Sequence, residues 1–324
     1  MKYAAICLHF DSMSEAAGFP PGYSDAAFLR ASDRFLALAD KLGFKYSIYV
    51  VGRDLENPRH RELVREWSRQ GHEIGNHSWS HPIHLGSMSK PSIQREIERA
   101  HELITETTGR EPRGFIAPGW SVSPQVLQVL MELRYLYDAS PFPSWLMYPM
   151  LARILLNHIG SRTFFTTLLK ILRRPDLKAS LVGSRNVSRV HSASLRGSPS
   201  GDGITVMPVP TTRFRVACWH TLAFAIGWAR HERTLRSCLN EIGAFHYDVH
   251  PADLLERQDL PTSHPIYLER LDVPLAEKRA YLERAIGVIL SSGRTIITME
   301  ELASRYERDR LEIKFSRLSS GYTR

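Results

Sequence analysis

Three cysteines, Cys7, Cys218 and Cys238, are all that 324 residues contain. They are too few and too far apart for a secreted disulfide framework or a Cys-rich zinc site, and read as small buried hydrophobes in a reducing compartment. The sequence also lacks an unbroken apolar run of about 18 residues, which excludes a membrane-spanning helix. The first apolar stretch is short, ends in His9 and Asp11, and is followed by no small-residue cleavage site. It reads as a buried strand rather than a signal peptide, so the expected compartment is the cytoplasm. No helix-turn-helix, zinc finger or aromatic-interleaved basic strand accompanies the net charge of +8. The charge therefore points away from nucleic acid and towards anionic lipid or phosphate, which leaves a peripheral position at the inner membrane face open.

What is present is a globular composition, 43% hydrophobic and 23% charged, in a chain long enough to bury its own core. Strand-like and helix-like segments alternate through the first 140 residues, the pattern of a parallel sheet with outer helices. Strands are expected at Tyr3–Phe10, 44–51, 114–117 and 135–138. Helices are expected from Phe28 to a stop at Gly43, over 59–70, from an N-cap at Ser89 to a stop at Gly109, and over 124–133. The rhythm breaks over 141–203, first apolar and basic, then rich in Ser, Gly and Arg from 183 onward, which reads as a mobile loop. Strands return at 204–209, 243–250 and 295–298, with helices at 275–290 and 299–306.

The chemistry concentrates in Gly71-His72-Glu73-Ile74-Gly75-Asn76-His77-Ser78-Trp79-Ser80-His81-Pro82. His77 and His81, four apart on a helical turn or a tight loop, bring two imidazoles to one point, and imidazole is the commonest divalent-metal ligand. Two further motifs are Gly114-Phe115-Ile116-Ala117-Pro118-Gly119-Trp120 and His246-Tyr247-Asp248-Val249-His250-Pro251.

Together these segments resemble the NodB-type polysaccharide deacetylases, carbohydrate esterase family four, over about 2–138 and again from about 204 to the last helix. The resemblance implies an α/β fold, a distorted (β/α) barrel of the polysaccharide-deacetylase type. It implies one catalytic domain over 1–308 with an insertion at 141–203 and a polar tail over 309–324. His9-Phe10-Asp11-Ser12 stands where the family has Thr-Phe-Asp-Asp. Asp11 matches the general base, and Ser12 replaces the carboxylate that is the third metal ligand, with Met13 next to it. Asp11 itself, Glu15 or water are the alternatives for that third position, and His9 shares a strand face with Asp11. Ile116 stands where the family has the arginine that orients the base, and Arg113 is out of phase. Leu136-Tyr137-Asp138-Ala139-Ser140 resembles the family's Tyr-Asp-Ser-Ser segment.

The implied activity is metal-dependent hydrolysis of an N-acyl group, acetyl or formyl, on an amino sugar. A divalent metal, zinc by ligand type, would be held by Asp11, His77 and His81. Pro118 and Trp120 would face the substrate, with the Trp120 backbone amide as an oxyanion donor. His250 would be the general acid, kept charged by a carboxylate, for which Asp248 is on the same strand face. The helical pattern over 145–174, with aromatic and Leu-rich faces beside Arg and Lys, suits either lid helices or helices lying flat in a lipid interface. With the charge, it suggests a polyprenyl-phosphate-linked sugar as substrate, in envelope glycan or lipopolysaccharide synthesis. Two rival classes are a soluble enzyme for a free or nucleotide-linked sugar, and a non-catalytic glycan- or lipid-binding relative with a degraded metal site, for which Ser12 and Ile116 are the evidence.

Overall fold

The computed structural model describes residues 3–10, 26–156, 159, 162, 164–191, 203–260 and 269–320, with 310–320 as backbone. Nine strands among them form one sheet: β1 Tyr3–Phe10, β2 Ser47–Val50, β3 Glu73–Asn76, β4 Gly114–Phe115, β5 Tyr137–Asp138, β6 Ser188–Val190, β7 Ile204–Val206, β8 Phe245–Val249 and β9 Thr295–Ile296. The order is β6-β7-β5-β4-β3-β2-β1-β8, with β9 also on β1. Every pairing is parallel except β6 with β7. This is the expected distorted (β/α) barrel.

Alternation along β1 explains the two sides of the sheet. Ala4, Ile6, Leu8 and Phe10 pack outward with Phe35, Leu38 and Leu282, while Ala5 and Cys7 face an inner cluster with Tyr49, Tyr137 and Trp120. In the first half of the chain the outer partners come from α1 Ser32–Leu42, α2 Pro58–Arg69 and α3 Lys90–Thr108, while α4 Pro124–Glu132 packs with α3 on Phe115 of β4. Gly43 and Gly109 end α1 and α3 in the left-handed conformation, φ 71° and 73°, which a glycine adopts without a Cβ penalty.

The insertion carries α5 Met147–Leu156, α6 Phe164–Leu172 and α7 Leu177–Val182, followed by α8 Leu222–Ile226, α9 Trp228–Glu241, α10 Leu275–Ser291 and α11 Met299–Ser320. Three expectations change here. The segment from 183 onward is not all loop, because Ser188–Val190 adds an antiparallel edge strand to β7. The helices α8 and α9, unmarked in the sequence reading, sit between β7 and β8. The last helix does not stop at 306 but runs through most of the polar tail to Ser320. All three cysteines are buried and unpaired. No helix among the described residues is long and apolar enough to cross a membrane.

Candidate active site at the C-terminal mouth of the barrel

Parallel α/β sheets gather functional groups where their strands end, since the loops there converge while the sheet holds them rigid. Here the ends of β1, β3, β4 and β8 deliver His9, His77, Trp120 and His250 to one place. His9 stands at the centre, with ring centroids 4.9 Å from His250, 5.5 Å from His77 and 5.7 Å from Trp120. His77 and His81 are 4.9 Å apart.

The two histidines are presented by a tight loop rather than a helical turn. Ser78 and His81 take positive φ, 65° and 58°, at a cost of roughly 1–2 kcal/mol each. Hydrogen bonds hold that strain. Asn76 Oδ1 accepts from the Ser78 amide at 2.7 Å, while its Nδ2 donates to the Ile97 carbonyl and the Tyr135 hydroxyl. Ser80 is fixed through both its amide and hydroxyl to Glu96.

His77 Nδ1 donates to the Ile116 carbonyl at 2.6 Å, which fixes the tautomer and leaves Nε2 with its lone pair. Burial, then His81 and His9, push His77 well below the ordinary histidine value. Burial and His9 push His81 down to about 4. Both rings are therefore neutral at pH 7, the form that ligates a metal. A divalent ion fits this pair by donor chemistry. The other expected ligand, Asp11, lies outside the described residues, as do Ser12, Met13 and Glu15.

A second donor group lies deeper. Cys7, His246 and Asp248 are the one set of three donors among the described residues whose ligand atoms all lie within 4.8 Å of one another. Register explains it, since Cys7 pairs with Asp248 across β1 and β8. His246 Nδ1 meets Asp248 Oδ1 at 2.9 Å, and Nε2 meets the carbonyls of Met207 and Pro208 at 3.3 and 3.1 Å. With acceptors on both sides, this ring is already held as a hydrogen-bonded brace. Burial alone would raise Asp248, but His246 and His9 outweigh it and hold the carboxyl well below the usual range. Asp248 in turn faces His9 Nε2 at 3.6 Å. Alternation places His246, Asp248 and His250 on one face of β8; Asp248 bonds His246 within that strand and faces His9 across on β1.

His250 has a different carboxylate. Its amide donates to Asp253 Oδ2 at 2.8 Å, and its Nδ1 is 4.0 Å from the same oxygen. Asp253 is shared with Arg270 at 3.3 Å. Burial, His9 and Arg270 together push His250 well below the ordinary value, so the expectation of a ring kept charged is not met.

Pro118, Gly119 and Trp120 make a single 3-10 turn. This corrects the oxyanion expectation. The Trp120 amide closes the turn on the Ala117 carbonyl at 2.9 Å and is already committed. The Trp120 ring does line the site, 6.1 Å from His250, and packs on Phe142 at 4.8 Å. Ile116 is fully buried among Tyr49, Trp120 and other apolar groups. Four polar atoms at this mouth are buried without a partner: His9 Nε2, Trp120 Nε1, Asp248 Oδ2 and His250 Nδ1. Such atoms are rare in folded proteins, and their gathering at one spot marks where a polar ligand belongs.

Beneath the site a polar chain fills the barrel. Glu73 accepts from Ser47 and Tyr137, each at 2.6 Å, and the Tyr137 hydroxyl meets that of Tyr49 at 2.5 Å. Gly75 is glycine because a Cβ there would come within 2.5 Å of the Tyr49 ring.

Residues 5–137 match the family model for polysaccharide deacetylases. Peptidoglycan deacetylase from Helicobacter pylori is 33% identical over 109 residues, covering 33% of this chain and 36% of its own. The Bacillus subtilis peptidoglycan-N-acetylmuramic acid deacetylase PdaA is 27% identical over 135 residues, covering 41% and 45%. The chain spans between about a third and about half the length of the curated relatives it matches. A Mycobacterium smegmatis protein described as a polysaccharide deacetylase superposes with a TM-score of 0.60 at 16% identity, covering 95% of this chain and 91% of that one. PuuE allantoinase superposes with a TM-score of 0.58 at 14% identity, covering 94% and 91%. At such identities these two share the fold.

Proposed function

We infer, with residues 5–137 placed in the polysaccharide deacetylase family, that this chain is an N-deacylase that hydrolyses the acyl amide of an amino sugar. The observation that carries the reading is the convergence of His77, His81, Trp120 and His250 on one mouth, where four buried polar atoms lack partners.

In this reading His77 and His81 hold a divalent ion, zinc by donor type, with Asp11 as the remaining ligand and base. Bound there, the ion would supply Lewis-acid polarisation of the acyl oxygen. Asp11 takes the proton of the attacking water. The Trp120 ring and Pro118 wall the acyl group and exclude solvent, and the unpaired Trp120 Nε1–H is free to donate to the substrate. His250, neutral at rest, would first take up a proton as substrate binds, with Asp253 4.0 Å from its Nδ1 to stabilise the imidazolium, and then give it to the departing nitrogen, without which an amine anion would have to leave. Asp248, clamped by His246, holds its carboxylate 3.6 Å from Nε2 of His9, the ring around which His77 and His250 pack.

The finer reading names a polyprenyl-phosphate-linked sugar at the cytoplasmic membrane face, supported by the basic, apolar insertion beside the site. A panel of free, nucleotide-linked and polyprenyl-phosphate-linked N-acetyl and N-formyl amino sugars tests both levels. Acetate or formate release that is lost on chelation and lowered at least about a hundredfold by His250→Ala is expected. No turnover of any member by metal-loaded protein would favour the non-catalytic alternative, for which the apolar burial of Ile116 is the structural argument.

A further inference from the structure

The inserted helices leave an apolar face uncovered. Of eleven exposed large apolar side chains among the described residues, nine fall between 145 and 182. Helix α6 buries none of its residues. Phe165, Leu169 and Leu172 recur on it at i, i+4 and i+7 and are 74%, 51% and 64% exposed. This is an amphipathic stripe turned outward, the reverse of what a core helix does. Exposed apolar patches of this kind mark interaction surfaces.

The charge around the stripe is of one sign. Residues 141–203 contain nine Lys or Arg against two Asp, so the insertion carries nearly all of the chain's net charge of +8. One of the two acids, Asp176, is neutralised by Arg174. Lys170 and Arg173 are exposed on the row next to the stripe. The face is also fastened to the site. Arg174 is buried and donates to the carbonyls of Ile83, two residues after His81, and Gly119, one before Trp120, at 3.0 and 2.8 Å.

We propose that α6, with the adjoining ends of α5 and α7, lies in the headgroup region of an anionic bilayer, so that the catalytic mouth opens beside the membrane surface. Phe and Leu in a row beside Lys and Arg is the pattern of an interfacial helix, where apolar side chains enter the acyl boundary and cations meet the headgroups. A second copy of the chain is disfavoured as occupant, because a symmetric contact would bring the same basic surfaces together. Docking does not depend on the deacylase reading. Its consequence, a membrane-borne substrate, does.

Flotation with phosphatidylcholine vesicles, with and without phosphatidylglycerol, tests the proposal. The protein is expected to float with the anionic vesicles and to be released by salt. Phe165→Asp with Leu169→Asp should abolish flotation without changing the thermal melt, since both side chains already face water. Lys170→Glu with Arg173→Glu should weaken it by roughly twentyfold or more, about fivefold for each charge removed. A His77→Ala, His81→Ala variant should float like the parent while losing deacylation, so docking and activity fail separately. Absence of flotation, or equal flotation of the Asp variants, would overturn the proposal. So would a dimer in sedimentation that the Asp variants dissolve, which would assign the face to a second copy.

Discussion

Replacing Arg174 by methionine isolates the tie between the insertion and the site. The Arg174 side chain is 1% exposed and that of Asp176 7%. The guanidinium makes a two-armed contact with Asp176, at 2.6 and 3.2 Å, as well as the bonds to Ile83 and Gly119. Methionine keeps most of the volume and removes every donor. It leaves a buried carboxylate unpaired, a loss of about 3–5 kcal/mol in comparable cases. Two carbonyls also lose a charged donor, at roughly 1.5–3 kcal/mol per bond where water does not replace it. Because these terms overlap, about 4 kcal/mol is the expected cost in urea unfolding. Removing both charges, Arg174→Met with Asp176→Leu, should recover more than half, since the penalty of the single variant is mostly the stranded charge. A single variant within about 1 kcal/mol of the parent would refute the argument and would mean that water or another cation serves Asp176 in solution.

Acid should destabilise the fold before its carboxylates titrate. Burial lowers His220 to about 4 and His231 to about 3, both beside the Tyr247 hydroxyl. Below the unfolded value near 6.5 the unfolded chain takes protons that the native one refuses, so stability falls by roughly 1.4 kcal/mol per pH unit per histidine down to about pH 4. Urea melts that are flat between pH 6.5 and 5 would contradict this. Gly75→Ala should cost about 1–3 kcal/mol, because its methyl would strike the Tyr49 ring and the cramped inner layer has little room to yield; an unchanged melt would show that Tyr49 moves freely. Ile116→Arg, which restores the family residue, should lower the melting temperature on its own, because it puts a cation into an apolar cluster. If it instead melts at or above the parent, Asp11 accepts the guanidinium as it does in the family pattern.

Local signals made much of this fold readable. Tyr3–Phe10 is a short, nearly continuous apolar run of the kind that forms a strand buried on both faces, and Gly43 and Gly109 stop their helices in the conformation that glycine favours. His77 and His81 were legible because their spacing sits inside a longer motif. The centre of the site was less so. His9 reads from the sequence only as an assistant to Asp11; its contacts with His250 and Asp248 depend on strand register between residues about 240 apart, and its contact with Trp120 on the turn that follows β4. Within β8, Asp248 bonds His246, two residues before it, rather than His250, two after. The Trp120 amide faces Ala117 because Gly119 and Trp120 both take positive φ, which no local pattern announces. Edge strand β6 was hidden because Ser and Arg, suited to an exposed edge, look like loop composition.

The central claim is a metal-dependent site built on His77 and His81, and bound metal is its most direct test. Protein purified without added metal, then loaded and quantified by elemental mass spectrometry beside a His77→Ala, His81→Ala variant, should carry close to one divalent ion per chain, zinc by preference, and the variant should carry none. A parent protein that binds no ion even when loaded, or a variant that binds as well as the parent, would contradict the account and leave a fold that binds glycan or lipid without this chemistry.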